Sequence, residues 1–146
     1  MQGEKIYSYD AVVTGVTDFG VTLDAMLSRR VNIPPQGARF DVAFEGRAEG
    51  RLAGRVSGVD HARMRADGRI DLDIHAVIET DSGHRIALAA DGVATAHGTD
   101  PAADLVENVR LLTAAEEYAW VNARQVWAIG RVDFSTGKIH IDAYMP

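Results

Sequence analysis

Cysteine is absent from the 146 residues, which excludes disulfides, thiol nucleophiles and cysteine-ligated metals. Long apolar runs are also lacking: no segment approaches the roughly 20 apolar residues that a membrane-spanning helix requires, and the N-terminal residues lack the apolar stretch typical of a secretory signal. An excess of positive charge is also lacking: 21 acidic residues outnumber 15 basic ones, and the formal net charge is −6. Nucleic-acid binding needs a basic face, so we expect no nucleic-acid partner. Because the apolar stretches of a membrane span and of a secretory signal are missing, we also expect a cytoplasmic protein that does not bind membranes.

Motifs for metals and cofactors are missing as well. The sequence has no His-x-His pair, no His-Glu-x-x-His helix, and no dinucleotide or phosphate-loop fingerprint. The pairs Asp73-x-His75 and His140-x-Asp142 offer mixed donors, but no facial-triad spacing stands out around them. We therefore expect neither a metal site nor a cofactor.

Turn-forming residues divide the sequence into short segments rich in Val, Ile, Leu and aromatic residues. Many short strands with regular turn signals are typical of a sandwich or barrel, whereas alternating strands and helices would indicate a parallel sheet. The length fits one domain. The sequence therefore predicts a single all-β domain over residues 1–146, an antiparallel, closed or nearly closed β-barrel.

The clearest strand runs from Arg69 to Thr80. Its apolar residues alternate with polar ones over eleven positions, a period that a helix cannot satisfy. Asp67-Gly68 before it and Asp81-Ser82-Gly83 after it predict hairpin turns, because glycine tolerates positive φ and aspartate bonds its own turn backbone. Ser135-Thr136-Gly137 predicts a third hairpin, which joins 127–134 to 138–145.

Helix is scarce in this sequence. Pro101 to Leu112 has apolar residues at helical spacing, with Asp100 before the proline as a cap, and Thr113 to Asn122 offers a second short segment. We expect one or two short helices that cover one end of the barrel. Edge strands and this covering helix favour a homo-oligomer.

Six short blocks follow one another in the second half of the sequence. They are Asp60-His61, Arg65-Ala66-Asp67-Gly68, Leu72-Asp73, Thr80-Asp81-Ser82-Gly83, Tyr118-Ala119-Trp120-Val121-Asn122 and Ile141-Asp142-Ala143-Tyr144. With these blocks the sequence resembles the bacterial domain-of-unknown-function 3237 family, whose members typically read G-x-D-W, R-x-D-G, L-D-A-R, T-D-D-G, Y-A-W-L-N and I-D-V-Y at these places, over roughly 44–144. The resemblance implies a β-barrel with an internal, partly polar cavity, and no common activity.

Two positions depart from that family pattern. His61 stands where the family usually has Trp, and His75 stands where it often has Arg. If these positions line a pocket, the ligand of this protein differs from those of its relatives.

Candidate catalytic residues lie on the Arg69–Thr80 strand and the segment before it. Asp73 and His75 share one strand face about 6.5–7 Å apart, and a hairpin at Asp67-Gly68 brings Asp60 and His61 alongside. A His beside a carboxylate is typical of general acid/base catalysis. This interpretation requires the charged face of the strand to point inward, toward an enclosed cavity. The alternative is that this face meets solvent while the apolar face fills the core.

Candidate ligand-binding residues come from the Tyr118–Asn122 block and the last strand. Trp120, Asn122 and Tyr118 combine aromatic faces with an amide, which suits an oxygenated organic ligand, and Tyr144 offers a phenolic donor. The alternatives are that Trp120 seals the barrel end, that Asn122 turns the chain, and that Tyr144 lies on a solvated outer face.

Three functions remain open at this point. The first is a barrel that binds a hydrophobic or aromatic metabolite in its cavity. The second is a cofactor-independent lyase, isomerase or cyclase that uses acid/base catalysis in the same cavity. The third is a non-catalytic oligomeric scaffold. The sequence leaves open whether the protein is an enzyme.

Overall fold

The computed structural model describes residues 3–96 and 100–146, and within them eight antiparallel strands form one closed barrel. Each strand pairs with the next along the chain, and β1 pairs with β8 to close the sheet. The predicted all-β barrel is confirmed. The strands are β1 Glu4–Asp18, β2 Ala38–Gly50, β3 Gly54–Met64, β4 Ile70–Thr80, β5 Arg85–Ala96, β6 Ala102–Leu112, β7 Val126–Asp133 and β8 Lys138–Met145.

Strict alternation of side chains separates the barrel interior from its outer surface. On β4, Leu72, Ile74 and Ile78 are buried, whereas the residues between them face outward. The hairpin turns predicted between β3 and β4, between β4 and β5, and between β7 and β8 are confirmed by the antiparallel pairing of these strands.

Two short helices cover the two ends of the barrel. Helix α1, Leu23–Leu27, lies in the long β1–β2 connection and packs Met26 against Phe40 and Met64. A 3₁₀ helix, Glu116–Val121, lies between β6 and β7 and covers the opposite end. No helix in the part of the chain that the structure describes is long and apolar enough to span a bilayer.

The helix predicted for Pro101 to Leu112 is wrong, because this segment is strand β6. Its apolar residues fit both periods: Leu105, Val106 and Val109 suit a helix, but Ala103, Leu105, Val109 and Leu111 also alternate as in a strand. The segment pairs with β5 on one side and with β7 on the other. This pairing favours the strand, because it provides hydrogen-bond partners for the backbone N–H and C=O groups within the sheet. The second predicted segment contains the 3₁₀ helix.

Closure of the barrel removes most of the edge strands on which the predicted homo-oligomer was based. The pairing of β1 with β8 runs from Glu4–Met145 to Val12–Lys138, so most of β1 is not an edge strand. Only the last residues of β1, Gly15–Asp18, pair with β2 alone among the described strands. The edge strands that favoured association are thus largely absent, and the homo-oligomer stays a prediction.

Close strand approach at Gly46 yields a first testable prediction. A Cβ atom at this position would overlap the carbonyl oxygen of Asp10 and lie 2.5 Å from the Cα of Ala11. Gly46→Ala should therefore force β1 and β2 apart and lower the free energy of unfolding by about 2–4 kcal/mol. Urea denaturation measures this change.

Gly15 on β1 provides the matched control for that substitution. A Cβ built there meets no atom within 4 Å. Gly15→Ala should change the free energy of unfolding by less than about 1 kcal/mol. Equal effects of the two substitutions would contradict the strand spacing described above.

Candidate functional site

The outer face of β4 carries Asp73 and His75. Their side chains are 63% and 65% exposed, and His75 Nε2 lies 3.2 Å from Asp73 Oδ1. The expectation that this charged face points inward is wrong. The opposite face carries Leu72, Ile74, Ala76 and Ile78, and burying it removes far more apolar surface from water.

His61 joins these two residues on the outer surface. Its ring centroid lies 5.9 Å from that of His75, and its Nδ1 lies 3.0 Å from Asp41 Oδ1. Hydrogen bonds from Arg39 and His61 lower the pKa of Asp41 to about 2. We call Asp41, His61, Asp73 and His75 the outer histidine cluster. The catalytic role predicted for three of its members stays a prediction, now for a solvent-exposed site.

Asp60 is separated from this cluster because it points to the other side of the sheet. It shares the inner face of β3 with Val56 and Ala62, both buried, and it is half-buried itself. The backbone N–H of Asp73 donates a 3.0 Å hydrogen bond to Asp60 Oδ1. Burial raises the pKa of Asp60 to about 6, although this hydrogen bond acts in the opposite direction.

Glu107 on β6 is the second carboxyl group of the interior. It lies on the inner face between Leu105 and Val109 and is only 3% exposed. Its Oε2 atom is buried without a hydrogen-bond partner among the described residues. Burial, followed by the negative charge of Asp60, raises the pKa of Glu107 to about 8. At neutral pH this side chain is therefore mostly a neutral carboxylic acid.

Small residues flank Glu107 on both neighbouring strands. Its register partners are Gly92 on β5 and Ala128 on β7. A Cβ at Gly92 would lie 2.9 Å from the Cα of Glu107, so β5 and β6 approach closely here. Neither neighbour brings a polar group or a bulky side chain to the Glu107 carboxyl.

Two tyrosines on β1 add further polar groups to the inside of the barrel. Tyr7 and Tyr9 are 1% and 4% exposed, and their rings stack with centroids 6.3 Å apart. Phe44 continues the row, 6.2 Å from Tyr9. Burial raises the pKa of both tyrosines, and the charge of Glu107 adds to the effect. We call Tyr7, Tyr9, Asp60 and Glu107 the interior polar cluster.

The Tyr118–Asn122 block forms the cover at one barrel end. The Tyr118 hydroxyl lies 2.7 Å from Ser82 Oγ in the β4–β5 turn. The Trp120 ring packs against the core and lies under the Arg51 guanidinium at 3.8 Å. The Asn122 amide donates to the carbonyl oxygen and accepts from the N–H of Thr113, each at 2.8 Å. These contacts match the structural alternative for the block, and its ligand-binding role stays a prediction.

Tyr144 lies apart from that block. It is on the outer face of β8, opposite Trp127 on β7 and Lys5 on β1, while its neighbours Ala143 and Met145 are buried inside. The structure therefore does not bring Tyr144 together with Tyr118, Trp120 and Asn122. Its predicted ligand contact would have to be made on the outer surface.

The described residues offer few other locations for a ligand or an ion. In residues 3–96 and 100–146, no three His, Asp or Glu side chains are arranged to hold a metal ion. Two open depressions lie at the barrel surface, about 360 Å³ beside Val12, Glu45 and Arg55, and about 300 Å³ beside Val93, Val106 and Trp127. None of the catalytic or ligand-binding residues predicted from the sequence lines either depression.

Sequence reasoning found Asp60 but missed Glu107, Tyr7 and Tyr9. The signal for Glu107 was a single acidic residue at an apolar position of the alternating series Ala103, Leu105, Val109 and Leu111. It was hidden because the same segment was interpreted as a helix.

The match to a family model covers residues 16–145. The chain belongs to the family described as "Protein of unknown function (DUF3237)". The resemblance carried by the six sequence blocks is thereby confirmed. No curated protein matches the chain.

Solved structures related to this DUF3237 chain share its fold. A protein of unknown function from Clostridium acetobutylicum ATCC 824 is 17% identical with a TM-score of 0.79, covering 99% of both chains. A β-barrel-like protein from Acinetobacter baumannii AYE is 22% identical with a TM-score of 0.75, covering 99% of this chain and 94% of that one. An enzyme from Penicillium herquei is 18% identical with a TM-score of 0.64, covering 98% and 92%. At these identities the likeness shows the barrel fold alone.

The raised pKa of Glu107 predicts a specific pH dependence of stability. Its pKa rises from 4.5 to about 8, so the folded state holds this proton more tightly than the unfolded state. The associated stability is fully present below pH 4.5 and is lost as pH rises through 8, by roughly 3–5 kcal/mol. Glu107→Gln should remove most of this loss, as measured by urea unfolding at intervals from pH 5 to pH 9.

The control for this measurement is Glu79→Gln, on the outer face of β4 beside Arg55. The pKa values of Asp60 and His140 are also raised. Both groups therefore also make the folded protein less stable as the pH rises. The wild-type protein and the Glu79 variant should therefore show the full decrease, and the Glu107 variant a smaller one. Parallel curves for all three proteins would contradict the assignment to Glu107.

Proposed function

We propose that this barrel binds a small, mostly apolar organic molecule in its interior, with the interior polar cluster as the hydrogen-bonding site. The observation that carries the proposal is the Glu107 carboxyl, whose Oε2 is buried without a partner among the described residues. Such a group costs about 1–3 kcal/mol of stability. A ligand oxygen that accepts a hydrogen bond from Glu107 would recover this cost.

The surroundings of the cluster define the kind of ligand. The inner wall is apolar, and Tyr7, Tyr9 and Phe44 place a row of three buried aromatic rings along it. Eight-stranded barrels have room for one small ligand at most. A planar, partly aromatic molecule with one or two oxygen atoms fits an apolar site that has few polar groups.

The test of binding uses two bicyclic probes that differ by one oxygen atom, 2-tetralone and tetralin. The wild-type protein should bind 2-tetralone about tenfold more tightly than tetralin, because only the ketone accepts a hydrogen bond from Glu107. Calorimetric titration measures the affinities, and the rise in melting temperature provides an independent readout.

Substitution of Glu107 identifies the contact. Glu107→Met keeps the side-chain length, removes the donor and should abolish the preference for the ketone, whereas Glu79→Met on the outer face should retain it. The proposal is contradicted if neither probe binds to the wild-type protein, which is the result expected of a non-catalytic scaffold. It is also contradicted if both probes bind equally before and after the Glu107 substitution.

A second candidate function is cofactor-independent acid/base catalysis in the same interior. The observation in its favour is that the pKa values of Asp60 and Glu107, about 6 and about 8, lie on either side of neutrality. One carboxyl group is then mostly ionised and the other mostly protonated at pH 7. Carboxyl pairs whose surroundings separate their pKa values in this way are suited to act as base and acid.

A further inference from the structure

We propose that the interior polar cluster moves a proton from the carbon next to a ketone or aldehyde group of the bound molecule, with Asp60 as the base and Glu107 as the acid. The inference rests on the proposed binding function and names the substrate class, an apolar carbonyl compound with a C–H bond beside the carbonyl. No part of it requires a metal or a redox partner.

The hydrogen bonding of the two carboxyl groups supports opposite roles. Asp60 keeps a hydrogen bond from the backbone N–H of Asp73 to Oδ1, and an N–H donor favours the ionised carboxylate. Glu107 Oε2 is buried and accepts no hydrogen bond from any residue that the structure describes, which favours the neutral acid. The first group is thus suited to accept a proton and the second to donate one.

The placement of the two groups in the barrel supports one shared substrate. Asp60 lies on β3 and Glu107 on β6, strands that are not neighbours in the closed sheet, and both side chains point inward. The negative charge of Asp60 adds to the burial that raises the pKa of Glu107. The aromatic row of Tyr7, Tyr9 and Phe44 lies on β1 and β2, beside β3.

The reaction step balances without a co-reactant. An Asp60 carboxylate oxygen takes the proton from the carbon, and the C–H electron pair becomes the carbon–carbon double bond. The carbonyl π electrons take the proton of the Glu107 carboxyl and form the enol hydroxyl. Asp60 is then protonated and Glu107 ionised, and return of a proton to carbon with loss of the hydroxyl proton restores both groups.

The outer histidine cluster is the competing location for the same chemistry. Asp73 and His75 also form an acid/base pair, but both side chains are more than 60% exposed, so bulk water competes for any bound substrate. The two locations predict opposite sets of damaging substitutions, which makes them separable by experiment.

The experiment measures deuterium exchange at the C1 protons of 2-tetralone in D₂O near neutral pH by proton NMR. The wild-type protein should accelerate exchange above the rate in buffer. Asp60→Asn should lower the protein-catalysed rate by about 100-fold or more and Glu107→Gln by about 10- to 100-fold, in the range usual for loss of a general base or acid. Glu79→Gln, on the outer face of β4 and without contact to Asp60 or Glu107, should stay within about threefold of the wild-type rate.

Binding of 2-tetralone, measured on the same samples by calorimetry, separates the inference from the proposed function. Binding to the wild-type protein without exchange above buffer would overturn the inference and leave the binding function in place, whereas absence of binding would overturn both. Exchange that survives Asp60→Asn but is lost in His75→Ala would overturn the inference and move the chemistry to the outer face. Circular dichroism checks that each variant folds. If Asp60→Asn does not fold, the result for Glu107→Gln decides whether the inference holds. The inference then requires that Glu107→Gln loses exchange but still binds 2-tetralone.

Discussion

Closure of the sheet through β1 and β8 is the constraint on which the other features depend. Once the ends of the sheet are joined, the inward side chains along most of each strand point into a space without bulk water. Apolar residues gain free energy from this burial, and polar residues at inward positions lose their hydration. Asp60 and Glu107 occupy inward positions, so the fold itself determines that their charged forms are disfavoured.

The two carboxyl groups differ because their local surroundings differ. Asp60 Oδ1 accepts a hydrogen bond from the backbone N–H of Asp73. This side-chain contact lies where the regular backbone pairing of β3 with β4 is interrupted. Glu107 lies between Gly92 and Ala128, neither of which has a polar side chain to offer. Burying such a group without compensation lowers stability, and proteins commonly retain this kind of cost at functional sites. The exposed ion pairs of the outer face, in contrast, contribute little to stability.

The alternation on β4 and the turn residues around it were sufficient to predict the barrel, because period-two patterns and glycine turns are local signals. The direction of the β4 faces was predictable from β4 alone, because Leu72, Ile74 and Ile78 offer far more apolar surface for burial than the charged face does. The inward assignment of the charged face followed instead from the polar cavity that the family resemblance implied. For β6, short-range spacing favoured a helix, and only pairing with two distant strands decides otherwise. Glu107 was missed for that reason, whereas Asp60 was found through its motif and lies beside Asp73 as predicted, but with its side chain on the inner side of the sheet.

The central claim is that Glu107 is a buried carboxylic acid that is protonated at neutral pH inside the barrel. The most direct measurement is a carbon-detected NMR titration of protein labelled with ¹³C at the glutamate side-chain carboxyls, with Glu107→Gln used to assign the resonance. We predict that one glutamate carboxyl titrates near pH 8, well above the others, and that its signal is missing in the variant. A Glu107 resonance that titrates near 4.5, as an ordinary glutamate does, would contradict the account.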